Sequence, residues 1–329
     1  MTSQAPPERV ETSLSQLRQT ALSALARLGL NETERQTVAD VLLYAQTRGN
    51  SQGLIKIVER TILPDADCKP METSRITPCL ARVDGNGNIG MLVLRHAAAV
   101  AAEMVEKTGI ALVTTSNTRS STGAIGYYAR SIASAGHIGL ILAGSPKVMA
   151  VEGGIDPVLG TNPIAIGVPT GDEPLVLDMA TAAIAWFAVI DARNRGESLP
   201  AGVAIDKDGA PTTQPVEALA GALKTFGGAK GAGLALMFEI LTGPLTGASI
   251  AGDSADNRGN LVIAINPDLI TDRATFKQRV DAMLAFIGNG RQSVRLPGRQ
   301  SAAAAARSAQ RDRVSIDAAL LDSLRKLAS

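Results

Sequence analysis

Apolar residues recur at three- and four-residue intervals over 13–28. Leu14, Leu17, Ala21, Leu25 and Leu28 fall on one stripe, and Gly29 closes the run. That period predicts a helix. Asn31-Glu-Thr-Glu gives an N-cap signature for a second helix, whose apolar face is Val38, Val41, Leu42 and Ala45 and which ends near Arg48-Gly49. The middle of the chain then alternates. The spacing predicts helices over 91–107 and 123–135 and strands over 110–115, 138–143, 163–168 and 174–177. A helix over 231–241 follows a glycine-rich entry, a strand over 261–265 precedes a helix over 271–287, and the alanine-rich tail over 301–327 reads as helix. No internal repeat appears. The pattern predicts a mixed α/β class with helices flanking both ends of the core.

Composition narrows the function classes. The 329 residues are 45% hydrophobic, enough for a sizeable core. Lys+Arg 32 against Asp+Glu 31 leaves no electrostatic footprint for nucleic acid or an anionic membrane. One Trp, three Tyr and five Phe are too few for base-stacking platforms. The longest apolar run, 179–190, has 12 residues, short of the roughly 18 that a bilayer span needs. Residues 1–13 lack the basic-then-apolar order of a signal peptide and read as a short disordered arm, so a cytoplasmic location is the default expectation. Cys68 and Cys79 face each other across a proline-rich loop; a disulfide is geometrically possible, and a reduced pair fits that location better. His96 and His137 stand alone, so no metal site is expected, and general-base options are few.

Several loops carry candidate chemistry. Gly85-Asn-Gly-Asn-Ile-Gly90 matches the dinucleotide fingerprint GxGxxG, but the strand before it is short and interrupted by Pro78, and no strand ending in an acid follows at the right distance. It reads as a turn supplying positive φ angles. Asp84, Asn86 and Asn88 mimic the start of a calcium loop without its closing Glu. Gly227-Gly-Ala-Lys-Gly231 at a helix entry is either an anion cradle or a close-packing loop, and spacing leaves both open. Gly160-Thr-Asn-Pro163 precedes a strand and Leu177-Asp-Met-Ala-Thr181 ends one, where α/β proteins place ligands or ordinary turns.

In combination these segments become specific. Val83-Asp-Gly85, Gly123-Ala-Ile-Gly-Tyr-Tyr128, Pro157-Val-Leu-Gly-Thr-Asn-Pro-Ile-Ala-Ile166, Leu177-Asp-Met-Ala-Thr181, Gly227-Gly-Ala-Lys-Gly231 and Leu296-Pro-Gly298 occur in one order. Together they resemble the malate/L-lactate dehydrogenase family, distinct from the Rossmann-type enzymes, over 14–327. The resemblance implies an NAD(P)-dependent oxidoreductase of 2-hydroxy, 2-oxo or cyclic 2-imino acids. It implies a homodimer and a non-Rossmann nucleotide-binding domain, with 1–75 plus 300–329 as a helical domain and 76–299 as the α/β core that holds cofactor and substrate. The implied cofactor residues are Ser121, Thr122, Gly123, Ala124, Ile125, Asp178, Met179, Ala180, Thr181, Ala229, Lys230, Gly298, Arg299 and Gln300, and Thr161 touches substrate.

The departures from the family pattern bear on mechanism. Where the family carries Asp-Ser-His-Gly, with the His as proton donor, this chain has Asn50-Ser-Gln-Gly53. Lys56 replaces a substrate-binding Arg, Ser121 replaces a second His, Trp186-Phe187 replaces an Arg-Gly pair, and Ala188 stands where some branches place an acid. A ketone reduced by hydride becomes an alkoxide and needs a proton, a contribution of roughly 10²- to 10⁴-fold. An amide such as Gln52 donates a hydrogen bond but keeps its proton at neutral pH. A protonated imine is already cationic and needs only orientation. Ser51, Gln52 and Lys56 are therefore the candidate catalytic set, with Lys56 holding a carboxylate less rigidly than Arg and Trp186 and Phe187 forming an apolar wall. The favoured expectation is NAD(P)H-dependent reduction of a small cyclic or N-substituted 2-imino acid, of Δ1-pyrroline- or Δ1-piperideine-2-carboxylate type. Two alternatives stand beside it: a 2-oxo/2-hydroxy acid dehydrogenase drawing its proton from Lys56 or a bound water, and a nucleotide-binding protein without efficient catalysis. NAD and NADP are both open, since Arg119 and Arg299 near the cofactor segments either meet a 2′-phosphate or are solvated.

Overall fold

The first two helices begin at capped ends, as their sequences dictate. Strand β1 (Arg9–Ser13) runs into α1 (Leu14–Arg27), where Ser13 Oγ accepts the Gln16 N–H. Asn31 opens α2 (Glu32–Thr47) through a reciprocal capping box with Glu34. The computed structural model describes residues 9–50, 53–250, 257–288 and 294–329. After α3 (Ile55–Val58) come a hairpin of β2 (Glu72–Thr77) and β3 (Leu80–Asp84), then α4 (Gly90–Thr108), β4 (Ile110–Thr118), α5 (Gly126–Ser134) and β5 (Ile138–Ala143). The chain continues through β6 (Lys147–Met149), β7 (Leu159–Gly160), β8 (Ile164–Val168), β9 (Leu175–Met179), α6 (Trp186–Arg195), β10 (Ala204–Ile205), β11 (Pro211–Thr212), α7 (Pro215–Ala220) and β12 (Ala222–Leu223). It ends with α8 (Ala229–Thr242), β13 (Arg258–Ile265), α9 (Arg273–Gly288), α10 (Arg299–Arg311), β14 (Arg313–Asp317) and α11 (Ala318–Ala328).

A seven-stranded sheet has the order β2-β3-β4-β13-β5-β8-β9. Strand β13 inserts between β4 and β5, antiparallel to both, with Val262 opposite Val113 and Ile141. Its alternating side chains serve two cores. Val262 joins Val83, Val113 and Ile141 beneath Leu17, Leu42, Leu94 and Tyr128 of the helices on one face. Leu261 joins Leu142 and Phe238 of α8 on the other. Each such apolar side chain contributes about 1.5–3 kcal/mol on burial. A smaller sheet, β11-β10-β12-β6-β7, packs its own cluster around Met149, Leu159, Val189 and Leu223.

Several sequence expectations are corrected here. The tail is not one helix: β14 interrupts it and pairs antiparallel with β1, Arg9 opposite Asp317 and Ser13 opposite Arg313. Residues 9–13 of the expected disordered arm are therefore a strand, while 1–8 lie outside the described residues. Residues 123–125 form a turn before α5 instead of its first turn. Pro78 sits in the β2–β3 turn, so an intact strand does lead into Gly85–Gly90, and β3, α4 and β4 make a parallel βαβ unit. The dinucleotide reading fails for another reason. The N–H groups of Gly85, Gly87 and Gly90 bond to the carbonyls of Ser116, Asn117 and Arg119, and that of Asn88 bonds to Gly85, so the glycine N–H groups of the fingerprint are turned into the fold and not toward a pyrophosphate. Asp84 is occupied likewise, accepting from Asn86 N and Asn117 Nδ2. Cys68 and Cys79 are free and exposed. No helix among the described residues is long and apolar enough to cross a membrane.

Candidate active site

A cavity of about 810 Å³ opens between the two sheets. Four stretches distant in sequence build it. The chain around α3 supplies Lys56, Arg60, Thr61 and Asp65. The β4–α5 loop supplies residues 119–125, the loops flanking β6–β8 supply Ser145 and Thr161, and β9 with the start of α6 supplies Asp178, Met179, Ala180, Trp186 and Phe187. Arg258 arrives from β13 because that strand pairs with β4, setting Arg258 opposite Thr118.

The structure thus gathers Lys56, Ser121 to Ile125, Thr161, Asp178 to Ala180, Trp186 and Phe187 around one space. Thr181 lies just behind the wall: it is buried, and its N–H and Oγ1 both donate to Thr161 O, at 2.9 and 2.8 Å. A second cavity of about 450 Å³ shares Asn50, Asp178 and Ala185 with the first and includes Gly298. Gly298 has φ +68, and a Cβ there would lie 2.4 Å from Val176 O, so α10 meets β9 only through a glycine. Arg299 and Gln300 lie on α10 outside both linings, and exposed Ala229 and Lys230 begin α8 outside both. Ser51 and Gln52 fall outside the described residues, between Asn50, which lines both cavities, and Gly53. Sequence reasoning missed Arg60, Asp65, Ser145 and Arg258; no local signal marks them, since only strand pairing and loop packing bring them here.

Lys56 dominates the electrostatics. Its side chain is 0% exposed, and its Nζ donates to Ser121 Oγ at 2.9 Å and lies 3.4 Å from the centroid of the Phe187 ring. Among the described residues no carboxylate pairs with it. Burial, reinforced by the Arg258 guanidinium, holds its amine well below the ordinary lysine range. Ser121 Oγ also accepts the Gly123 N–H at 3.1 Å. Asp178 Oδ2 accepts the Gly126 N–H at 2.9 Å, at the start of α5, where a Gly126 Cβ would touch the carboxylate. Asp178 faces the solvent of the cavity, but the crowded wall raises its carboxyl to about 6. Water reaching the group moderates that shift, and a ligand displacing the water strengthens it. Arg119 pairs with Asp65 at 3.1 Å, and Arg258 Nη1 donates to Ser120 O at 3.0 Å. In the second cavity Arg130 grips Glu173 through two bonds of 2.6 and 2.9 Å, holding that carboxyl below its usual range, while Arg48 stacks on Tyr44. Neither histidine is nearby: His96 bonds Thr73 and His137 bonds Glu106, and neither lines a cavity described here.

Two buried hydroxyls in the wall of the main cavity, Thr61 Oγ1 and Ser120 Oγ, have no hydrogen-bond partner. A space of this size, lined by the 119–125 loop with its hydroxyls and glycine and by Arg60 and Arg258, fits a bound polar cofactor. Residues 12–325 match the family model described as malate/L-lactate dehydrogenase. The chain belongs to the malate/L-lactate dehydrogenase family. It is similar to a malate/(S)-sulfolactate dehydrogenase of Methanothermus fervidus, 31% identical over 323 residues that cover 93% of this chain and 94% of that one. It is similar to a Δ1-pyrroline-2-carboxylate/Δ1-piperideine-2-carboxylate reductase of Pseudomonas aeruginosa, 33% identical over 327 residues, 94% of this chain and 97% of that one. Its fold matches a solved dehydrogenase from Sinorhizobium meliloti with TM-score 0.89 and 29% identity, covering 98% of this chain and 99% of that one. The protein is an oxidoreductase of the dehydrogenase/reductase kind.

Proposed function

We propose that the protein reduces small 2-oxo carboxylates to 2-hydroxy acids with NAD(P)H in the main cavity. The observation that carries this reading is the charge of the wall. Arg60, Arg119 and Arg258 line the cavity together with Asp65, which pairs with Arg119, and Asp178, while Lys56 lies buried behind Ser121 and the Phe187 ring. A carboxylate is drawn to such a wall, and a second anionic group on the substrate is drawn further. The cofactor supplies the hydride. Residues 121–125 and 178–180 frame the space for it, and Gly298 in the adjoining cavity extends that space. Thr161 is fixed by Ser145 Oγ at 3.1 Å and offers its hydroxyl to the substrate.

This reading moves away from the imino acid expectation because that expectation rested on the missing imidazole and gave Lys56 to the substrate carboxylate, whereas Lys56 is buried behind Ser121 and better suited to supplying a proton through it. Reduction of a cyclic 2-imino acid remains as a second reading, favoured by the apolar wall of Trp186 and Phe187, which suits a ring, and by the 33% identical reductase. The reading also includes a homodimer, supported by the apolar exposed side of α8. The test is steady-state oxidation of NADH and NADPH with a panel of 2-oxo monocarboxylates, 2-oxo diacids and cyclic 2-imino acids. Turnover of 2-oxo acids at least ten times faster than of imino acids supports the first reading. The reverse ratio supports the second, and cofactor binding without turnover of any acceptor refutes both.

A further inference from the structure

We propose that Ser121 and Lys56 form a proton-relay dyad, in which the Ser121 hydroxyl protonates the acceptor oxygen and Lys56 recharges Ser121. The inference rests on the 2-oxo acid reading and assigns its proton source. A serine hydroxyl offers one hydrogen and two acceptor sites. Both acceptor sites of Ser121 Oγ are filled, one by Lys56 Nζ at 2.9 Å and one by the Gly123 N–H at 3.1 Å. Its own hydrogen is thereby left for the cavity, onto which the partly exposed Ser121 opens. Lys56 cannot act directly on a ligand in this arrangement, because it is 0% exposed and the Phe187 ring covers it. It acts through Ser121, as a positioning and recharging residue.

The bookkeeping of the step closes. A bound reduced nicotinamide would supply the hydride to the carbonyl carbon, and the acceptor oxygen, left with the C=O π pair, would then need one proton from the protein. The Ser121 O–H bond breaks as its proton passes to that oxygen, and a proton from the Lys56 ammonium passes to Ser121 Oγ. After the product leaves, Ser121 hands its proton back to Lys56 and takes another from water in the cavity, which restores both groups. One 2-oxo acid, one NAD(P)H and one proton become one 2-hydroxy acid and one NAD(P)+. A bare alcohol is a poor acid, so the amine behind it decides the rate, and an ammonium whose proton is loosened by burial is suited to recharging it. The groups that face Lys56 are few. Arg258 approaches from β13, Arg60 follows on its own segment, and the Arg119–Asp65 pair and Asp178 line the same cavity. The helices packed on α3, which include α1 and α11, place no carboxylate within ion-pair distance of it among the described residues.

Two readouts test the dyad. The first is the pH profile of kcat for 2-oxo acid reduction in wild type, Ser121→Ala, Ser121→Thr and Lys56→Met. Wild-type kcat is expected to fall as pH rises through the Lys56 titration. Ser121→Ala and Lys56→Met are expected to lower kcat by about 10²- to 10⁴-fold and to lose that limb, whereas Ser121→Thr retains it. The second readout needs no cofactor or turnover: NMR titration of the lysine Cε–H signals in the free protein, with Lys56 assigned by its loss in Lys56→Met. A midpoint well below the other lysines supports the relay. A midpoint among the ordinary lysines, or variants that keep both kcat and the pH limb, overturns the relay and leaves the oxidoreductase reading standing. Wild-type failure to oxidise NAD(P)H with any 2-oxo acid overturns the reading and the relay together.

Discussion

An ammonium without a carboxylate partner is costly to bury, and Lys56 is buried with a serine hydroxyl and a phenyl ring for company. Replacing it with methionine, similar in shape and apolar, is expected to raise stability by about 1–3 kcal/mol while removing activity. The pH dependence gives the sign. The folded-state pKa lies below the unfolded value of 10.5, so between the two the unfolded chain holds more protons, and wild-type stability rises with pH across that window. Below the folded-state pKa the two states hold the same protons and the slope vanishes. Lys56→Met should flatten the slope in denaturant melts between the lowered folded-state titration of the lysine and its unfolded value of 10.5. An unchanged slope, or a destabilised variant, would show that Lys56 is not the strained group described here. At this scale the sequence was informative where a family motif has a departure, as at Lys56 and Ser121. It was silent on Arg60 and Arg258, whose roles come from distant segments meeting.

At the scale of elements, the strongly periodic segments were legible. The stripe through Leu17 and Leu25 and the Asn31 capping box need only local information, and α1 and α2 start where these signals place them. Strand β14 was not legible, because the alanine-rich helix before it and the amphipathic helix after it share one helical pattern. What turns residues 313–317 into a strand is β1, some three hundred residues away. The strands of two or three residues in the smaller sheet are too short to show a period at all. Helix α8 carries an expectation of its own. Gly231, Ala235, Phe238 and Thr242 bury one side, yet Leu234, Leu236, Met237 and Ile240 are apolar and exposed on the rest. A helix that is apolar all round is normally covered on all sides. A second copy of the chain is the expected cover. Sedimentation velocity should show a dimer, and the Leu236→Glu/Met237→Glu double variant should shift it to monomer with secondary structure intact by circular dichroism. A monomeric wild type would refute this.

On the scale of the whole molecule, the insertion of β13 between β4 and β5 is the decisive event. It places Arg258 beside the β4–α5 loop, which carries Ser121, and the same loop reaches back to Lys56. Nothing in the linear order announces this, since 56, 121, 187 and 258 lie on four separate elements. Residues 121–125 and 178–180, within the motifs the sequence singled out, form two walls of the main cavity, but no motif marks its arginines. That lining is the reason for favouring an anionic acceptor and a proton delivered by the protein. The most direct measurement is a crystal structure of the protein with a nicotinamide cofactor and an unreactive 2-oxo acid mimic. The account expects the nicotinamide ring in the main cavity, the mimic's carboxylate toward the arginines, and its reactive-position oxygen within about 3.2 Å of Ser121 Oγ. A nicotinamide ring bound elsewhere, or an acceptor oxygen turned away from Ser121, would contradict it.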